Sequence, residues 1–296
     1  MSLTAALVLD ARNTLGEGVT WCVRSQSLYW TDIHASTLWR FRPADSSTRH
    51  WNMPERLASF ALCDDDDWLL LGLASGLAFF HLESGETIRI AEVEPGLPTR
   101  LNDGACDRQG RFVFGTLHEP AAGEARRAAG GFYRLHDNLV LEPLPLGPVA
   151  ISNSIAFSPD GATMYYCDSM RRIVHRCRYG DRVTDACVHV DLSRQQGEPD
   201  GSAVDSEDGL WNAEWGAGRV VRYDCHGKPD MVVAVPTRQP TRVAFGGEHL
   251  NVLYITSARD GLTAQALTQD PQAGGLFAVE VPFTGMPEPR FAGRPA

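Results

Sequence analysis

The chain repeats one pattern six times: a polar Asp/Gly turn, a run of aromatic or β-branched residues, a second turn, and another such run. The copies read "RSQSLYWTDIHASTLWRFRP", "DDDWLLLGLASGLAFFHLESG", "DRQGRFVFGTL…GGFYRLHDN", "SPDGATMYYCDSMRRIVHRCRYGD", "DSEDGLWNAEWGAGRVVRYDCHGK" and "GGEHLNVLYITSARDG…GGLFAVEV". Their first strong strands start roughly 40 to 55 residues apart, the period of a four-stranded propeller blade. A lone four-stranded sheet leaves both faces wet, so six copies must pack round an axis and share their cores. The repeat predicts an all-β, six-bladed β-propeller with four-stranded blades, occupying residues 1–296 as one domain. In such a ring the residues that carry chemistry come from distant points of the sequence and meet at one end of a central channel.

A closed ring needs its last sheet edge paired. The β-prone segment "AALVLDA" (5–11) has no hairpin partner of its own, and we expect it to complete the last blade beside "GGLFAVEVPF" (274–283). Helical periodicity is nearly absent. "AAGEARRAAG" (121–130) is the one stretch that reads as a short helix, inserted as a loop of the third blade. The turns "DRQG" (107–110), "SPDG" (158–161) and "DSEDG" (205–209) suit tight connections, with Gly supplying positive φ and Asp bonding back to its own backbone.

Composition narrows the partners. The net charge of −10 argues against a nucleic-acid groove and against docking on anionic membranes. No apolar run approaches the roughly 20 residues of a bilayer span, and the N-terminus lacks the basic start of a signal peptide. Seven scattered cysteines, with no CxxC pair, read as small buried residues of a reducing compartment. The expectation is a cytoplasmic protein, monomer or dimer, acting on a small molecule.

Several polar residues stand beside turns where inner strands begin or end. Glu17 lies between two glycines in "TLGEGVTW", Asn153 precedes an apolar strand in "VAISNSIAFSPDG", and Asp200 holds the equivalent place one blade later in "GEPDGSAVD". A glutamate, an asparagine carbonyl and an aspartate make an all-oxygen set suited to Ca²⁺, Mg²⁺ or Mn²⁺, and Zn²⁺ accepts the same ligands. The plainer alternative is an Asp-Gly turn and a strand-capping Asn. Arg100, Asn102 and Asp103 precede one strand and Glu119 follows the next; together they offer donors and acceptors for several hydroxyls of a polyol. Here the alternatives are a surface ion pair and another turn. His118 could assist a proton transfer or simply be a satisfied wall residue. The run Asp64 to Asp67 reads as a solvated hairpin tip rather than a metal trap. Trp211 and Trp215 alternate with Asn212 and Glu214, which points both indoles into the space between blades. No nucleophile elbow and no phosphate-binding loop is present.

These motifs resemble the gluconolactonase/regucalcin (senescence marker protein) family over nearly the whole length. The resemblance is carried by "LGEG" at 15–18, "RLNDGACDRQGRFVFGT" at 100–116, "ISNSIAFSPDG" at 151–161, "PDGSAVDSEDGLW" at 199–211, "FGGEHLNVLYITSARDG" at 245–261 and "AGGLFAV" at 273–279. It implies one divalent metal held by Glu17, Asn153 and Asp200, with Asp200 also the catalytic base. It further implies sugar contacts from Arg100, Asn102 and Glu119, and hydrolysis of a sugar aldonolactone of pentono or hexono type. Ser154 departs from the Gly that many relatives place after the metal-binding Asn, and its side chain is expected to trim the pocket. Two other readings share the scaffold: a metal-dependent esterase or phosphotriesterase, and a calcium-binding regulatory propeller without catalysis. A WD-type interaction propeller is disfavoured, because no repeat carries the GH…WD signature.

Overall fold

A computed structural model describes residues 3–295. Six antiparallel sheets follow one another along the chain, each written from its inner strand outward. Blade one runs from Gly16–Cys22 to Ser47–Asn52, blade two from Leu57–Leu62 to Thr87–Glu92, and blade three from Thr99–Cys106 to Leu141–Val149. Blade four runs from Ser152–Phe157 to Thr184–Asp191 and blade five from Glu198–Val204 to Pro229–Ala234. Blade six takes Pro240–Gly246, Val252–Ser257 and Leu276–Glu280 from the end of the chain and its outer strand, Ala6–Leu9, from the start. The N-terminal segment therefore closes the ring where the sequence predicted. Leu3–Thr4 adds a parallel hook on the outer strand of blade five.

Apolar side chains from facing sheets fill the gaps between blades; Trp30, Trp211, Tyr165 and Phe112 are among the largest fully buried. The 121–130 segment is not helical. Gly123 sits at φ +87 and most of the segment is exposed, and ten residues with no packed apolar face do not sustain a helix. The α-helix lies instead at Ala264–Gln269, inside blade six, with Thr263 capping its N-terminus. Among the described residues no helix is long and apolar enough to cross a membrane. In the 205–209 turn the left-handed residue is Asp208 (φ +63), not Gly209. Gly209 is needed for space, since a Cβ there would meet the Arg222 guanidinium at 2.4 Å.

Each inner strand breaks register at the same step: Glu17/Thr20, Leu57/Ser59, Leu101/Gly104, Asn153/Ala156, Pro199/Ser202 and Pro240/Val243. A bulge sets two residues against one and re-aims the side chains it carries. Six bulges at one level thus turn six short segments toward the channel.

The opposite end of the channel is shut by the C-terminal segment. It bonds in turn to Leu250 and Ser206, then to Leu62 and Gly110, reaching across the ring from blades five and six to blades two and three. Phe291 is fully buried in the core against Phe79. Phe291→Ala should therefore cost about 3–5 kcal/mol, read by chemical denaturation; a loss under 1 kcal/mol would mean the segment is not part of the folded core.

A pH effect follows from His189 in the outer strand of blade four. It is 8% exposed, its ring lies 5.0 Å from that of Tyr165, and its Nε2 has no hydrogen-bond partner among the described residues. Burial, helped by Arg176, depresses its pKa from 6.5 to about 4. A depressed histidine gives its full stability above the unfolded value near 6.5 and loses it as pH falls toward 4. That loss amounts to about 3 kcal/mol, and His189→Gln should flatten the slope in acid unfolding curves. An identical slope in the variant would assign the acid sensitivity elsewhere.

Candidate active site

The strands after the inner ones deliver loops to one end of the channel, and there the bulges meet a cavity of about 270 Å³. This is near the lower end of ligand-site volumes. All six residues singled out from the sequence line it: Glu17, Arg100, Asn102, Glu119, Asn153 and Asp200. They do not precede the inner strands, as read from sequence; apart from Glu119, which follows its strand, all lie within them. The turn-like Asp-Gly and Asn-Ser pairs are bulges rather than hairpin turns.

The floor is built from charges. Asp103, next to Asn102 on its bulge, forms a buried ion pair with Arg242, from the matching bulge of blade six. Asp103 also accepts from Gly104 N and Ile155 N, both at 2.8 Å. Arg242 crosses tightly over Gly201: a Cβ on that glycine would meet Arg242 Cγ at 2.6 Å. Arg242 thus pairs directly with one carboxylate of three; Glu17 and Asp200 feel it at longer range and form no ion pair among the described residues. Burial first, and then Asp103, push the Glu17 carboxyl up to about 7. Burial and the neighbouring Glu17 hold Asp200 well above the usual carboxylate range.

Neutral side chains fix the rest. Asn153 donates through Nδ2 to Ser169 Oγ at 2.9 Å, and Ser169 Oγ donates to Pro199 O at 2.7 Å. The amide is thereby oriented, and Asn153 Oδ1 accepts from Asn102 Nδ2 at 3.1 Å. Asp200 is held through its backbone carbonyl, which accepts from Ser154 Oγ at 2.8 Å and Asn212 Nδ2 at 2.9 Å. Ser154 (φ +59) is fully buried in this support and does not line the cavity. It steadies Asp200 from below rather than trimming the pocket, contrary to expectation.

Asp200 Oδ1 is buried with no hydrogen-bond partner among the described residues. An orphaned carboxylate oxygen, a second unpaired carboxylate and an oriented amide oxygen fit a hard divalent cation.

The profile of the SMP-30/Gluconolactonase/LRE-like region matches residues 15–259, from the bulge that carries Glu17 to the loop after the second strand of blade six. The chain belongs to the SMP-30/gluconolactonase family. An L-arabinolactonase of Azospirillum brasilense is 55% identical over 293 residues, covering 98% of this chain and 96% of that protein. A 6-deoxy-6-sulfogluconolactonase of Pseudomonas putida is 38% identical over 99% of this chain and all of its own length. Among solved structures, a calcium-binding protein, regucalcin, from Agrobacterium tumefaciens superposes with a TM-score of 0.91 at 30% identity, covering 98% of this chain and 99% of its own.

In this SMP-30/gluconolactonase member several candidates fall outside the cavity. His118 is buried in the wall, where Nδ1 accepts from Arg127 N. Asp64 to Asp67 form an exposed hairpin tip. Trp211 packs between blades, as expected, but Trp215 lines the cavity. Glu214 is fully buried, bonded to Arg219 and Tyr223. The sequence reading missed His34, Arg126 and Asp260 in the cavity wall, Arg242 in the floor and Arg56 behind Glu119. Arg242 had a signal: aligning the inner strands puts it level with Asp103. The others come from loops, where the repeat gives no register.

Proposed function

We propose that this protein is a metal-dependent aldonolactonase that opens a sugar lactone to its acid, with L-arabinolactone the first substrate to test. The orphaned Asp200 Oδ1 beside the unpaired Glu17 carries the reading. The L-arabinolactonase at 55% identity over nearly the whole chain supports the substrate class. Glu17, Asn153 and Asp200 would hold the ion. A divalent cation bound there supplies Lewis-acid polarisation of the lactone carbonyl.

The chain's own groups account for the rest. Water adds to the carbonyl carbon, the bond to the ring oxygen breaks, and that oxygen leaves as a hydroxyl. The resulting acid releases one proton. Asp200 is the acceptor for the proton of the attacking water and returns it to the departing ring oxygen, its carboxylate facing the cavity on a backbone fixed by Ser154 and Asn212. Arg100 presents a donor and Asn102 Oδ1 an acceptor to ring hydroxyls, since both N–H groups of Asn102 are already given to Ser152 O and Asn153 Oδ1, and the two set the orientation of the sugar. Glu119 accepts two 2.7 Å bonds from Arg56 and one of 3.3 Å from Arg100 Nε, so it positions Arg100 as well as facing the sugar. A wall of charged and amide groups favours a polyol over a hydrophobic ester.

The test is acid release by metal-stripped protein from a panel of pentono- and hexonolactones, with Ca²⁺, Mg²⁺, Mn²⁺ and Zn²⁺ restored singly. Metal-restored turnover of one or two lactones is expected. Tight Ca²⁺ binding with no turnover would favour the binding propeller instead, and turnover undiminished by metal removal would refute the metal's role.

A further inference from the structure

One corner of the cavity carries more positive charge than the lactone reading needs. Three guanidiniums gather there: Arg56, Arg100 and Arg126. Glu119 is the carboxylate bonded to them, and Arg56 already holds both of its oxygens; Glu55 lies near Arg56, and Glu17 and Asp260 lie near Arg100. Arg100 is 6% exposed and uses Nε on Glu119 and Nη1 on Leu101 O and Asn102 Oδ1, which leaves Nη2 for a ligand. Arg126 reaches the cavity from the irregular 119–129 loop and forms no ion pair among the described residues. The crowding registers on Arg100 itself. Burial and the like charges of Arg56 and Arg126 pull its pKa down to about 10, against the opposing pull of Glu119.

A buried guanidinium with an open donor, beside an unpaired one, is a site for an anion. A neutral lactone has no charge to offer it. The ring-opened acid does, and its hydroxyls match the rest of the wall. We propose that Arg126 and Nη2 of Arg100 form a carboxylate subsite that holds the acid group of a polyhydroxy acid in this cavity. The choice of ligand rests on the lactonase reading; the subsite itself does not. Two sources supply the same chemistry: the product of the reaction, and a sugar acid entering from solution. In either case the acid competes with the lactone for the cavity.

The experiment is calorimetric titration of the full-length, metal-stripped protein with L-arabinonate and with arabinitol, its uncharged counterpart, at low ionic strength. Without the cation, the acid's preference cannot come from metal ligation. The acid should bind at least about tenfold more tightly than the alditol, and added salt should erode the difference. Arg126→Gln should remove most of that preference while arabinitol affinity stays within threefold, and Arg126→Lys should keep part of it. Equal affinities in the wild type, or a preference untouched by Arg126→Gln, would overturn the subsite. Initial-rate inhibition of the metal-loaded enzyme then separates the sources: product-level acid that slows lactone opening competitively assigns the site to product, and inhibition only at far higher added acid assigns it to an external sugar acid. Preferential binding without turnover of any lactone would leave the subsite standing and remove the lactonase reading. Turnover with no acid preference would do the reverse.

Discussion

Metal-stripped Asp200→Asn protein should melt above metal-stripped wild type, and yet open no lactone. The two effects have one cause. Asp200 is 6% exposed, its Oδ1 has no hydrogen-bond partner among the described residues, and it lies beside another unpaired carboxylate. Burying an unpaired charge costs stability, so an amide of nearly the same shape relieves the metal-free fold. In the proposed mechanism the same exchange removes a ligand charge and the proton acceptor, and turnover should fall by a factor of about 10³ or more. Thermal melts with and without added cation check both halves. At a hundredfold excess over Kd, bound ion stabilises the wild type by about 2.7 kcal/mol, and the variant should show almost none of that gain. Wild-type turnover by metal-free Asp200→Asn would defeat the mechanism. A variant less stable than wild type without metal would mean that the site's charges are balanced by something other than a cation.

The second large effect lies in the floor. Arg242→Ala should destabilise the protein by about 3–5 kcal/mol, the usual result of removing one partner of a buried pair. It strands Asp103, which burial already pushes upward and Arg242 pulls back, and it leaves three carboxylates together. Asp103→Asn placed on Arg242→Ala should recover a good part of the loss. A double-mutant cycle on denaturation free energies measures the coupling. Strict additivity of the two changes would show that the pair contributes nothing, and that Arg242 matters only through its packing over Gly201.

The ring and its closure were legible because they rest on period and pairing. Six strand-turn-strand copies fix the blades, and a β-prone segment at 5–11 without a hairpin partner must pair with something. The six cavity residues were legible through motif order more than through spacing, since Asp-Gly and Asn-Ser look like turns when read locally. Their placement on bulges needed the register of the neighbouring strand, which one sequence does not carry. Arg56, Arg126, His34 and Asp260 escaped because loop residues reach the cavity by paths that no periodicity describes. Ser154 was misread for a related reason: the αL backbone at φ +59 turns its hydroxyl under Asp200, and nothing in the sequence sets that direction. The helix expected at 121–130 failed on tertiary grounds, for no neighbour offers an apolar face to cover it.

The shared level of the six bulges bears on how such a protein changes over generations. Five of the six bulges carry, or stand beside, a polar side chain at the channel while the strands on either side keep their pairing. Glu17 and Asn153 stand at the edge of two bulges and Asp200 within a third, Asp103 and Arg242 pin two more against each other, and the sixth holds Ala58, packed in the apolar core. A single codon change at such a bulge alters what the channel recognises without redrawing the scaffold. New substrates are therefore within reach one blade at a time, beginning at the blades whose bulges already line the cavity.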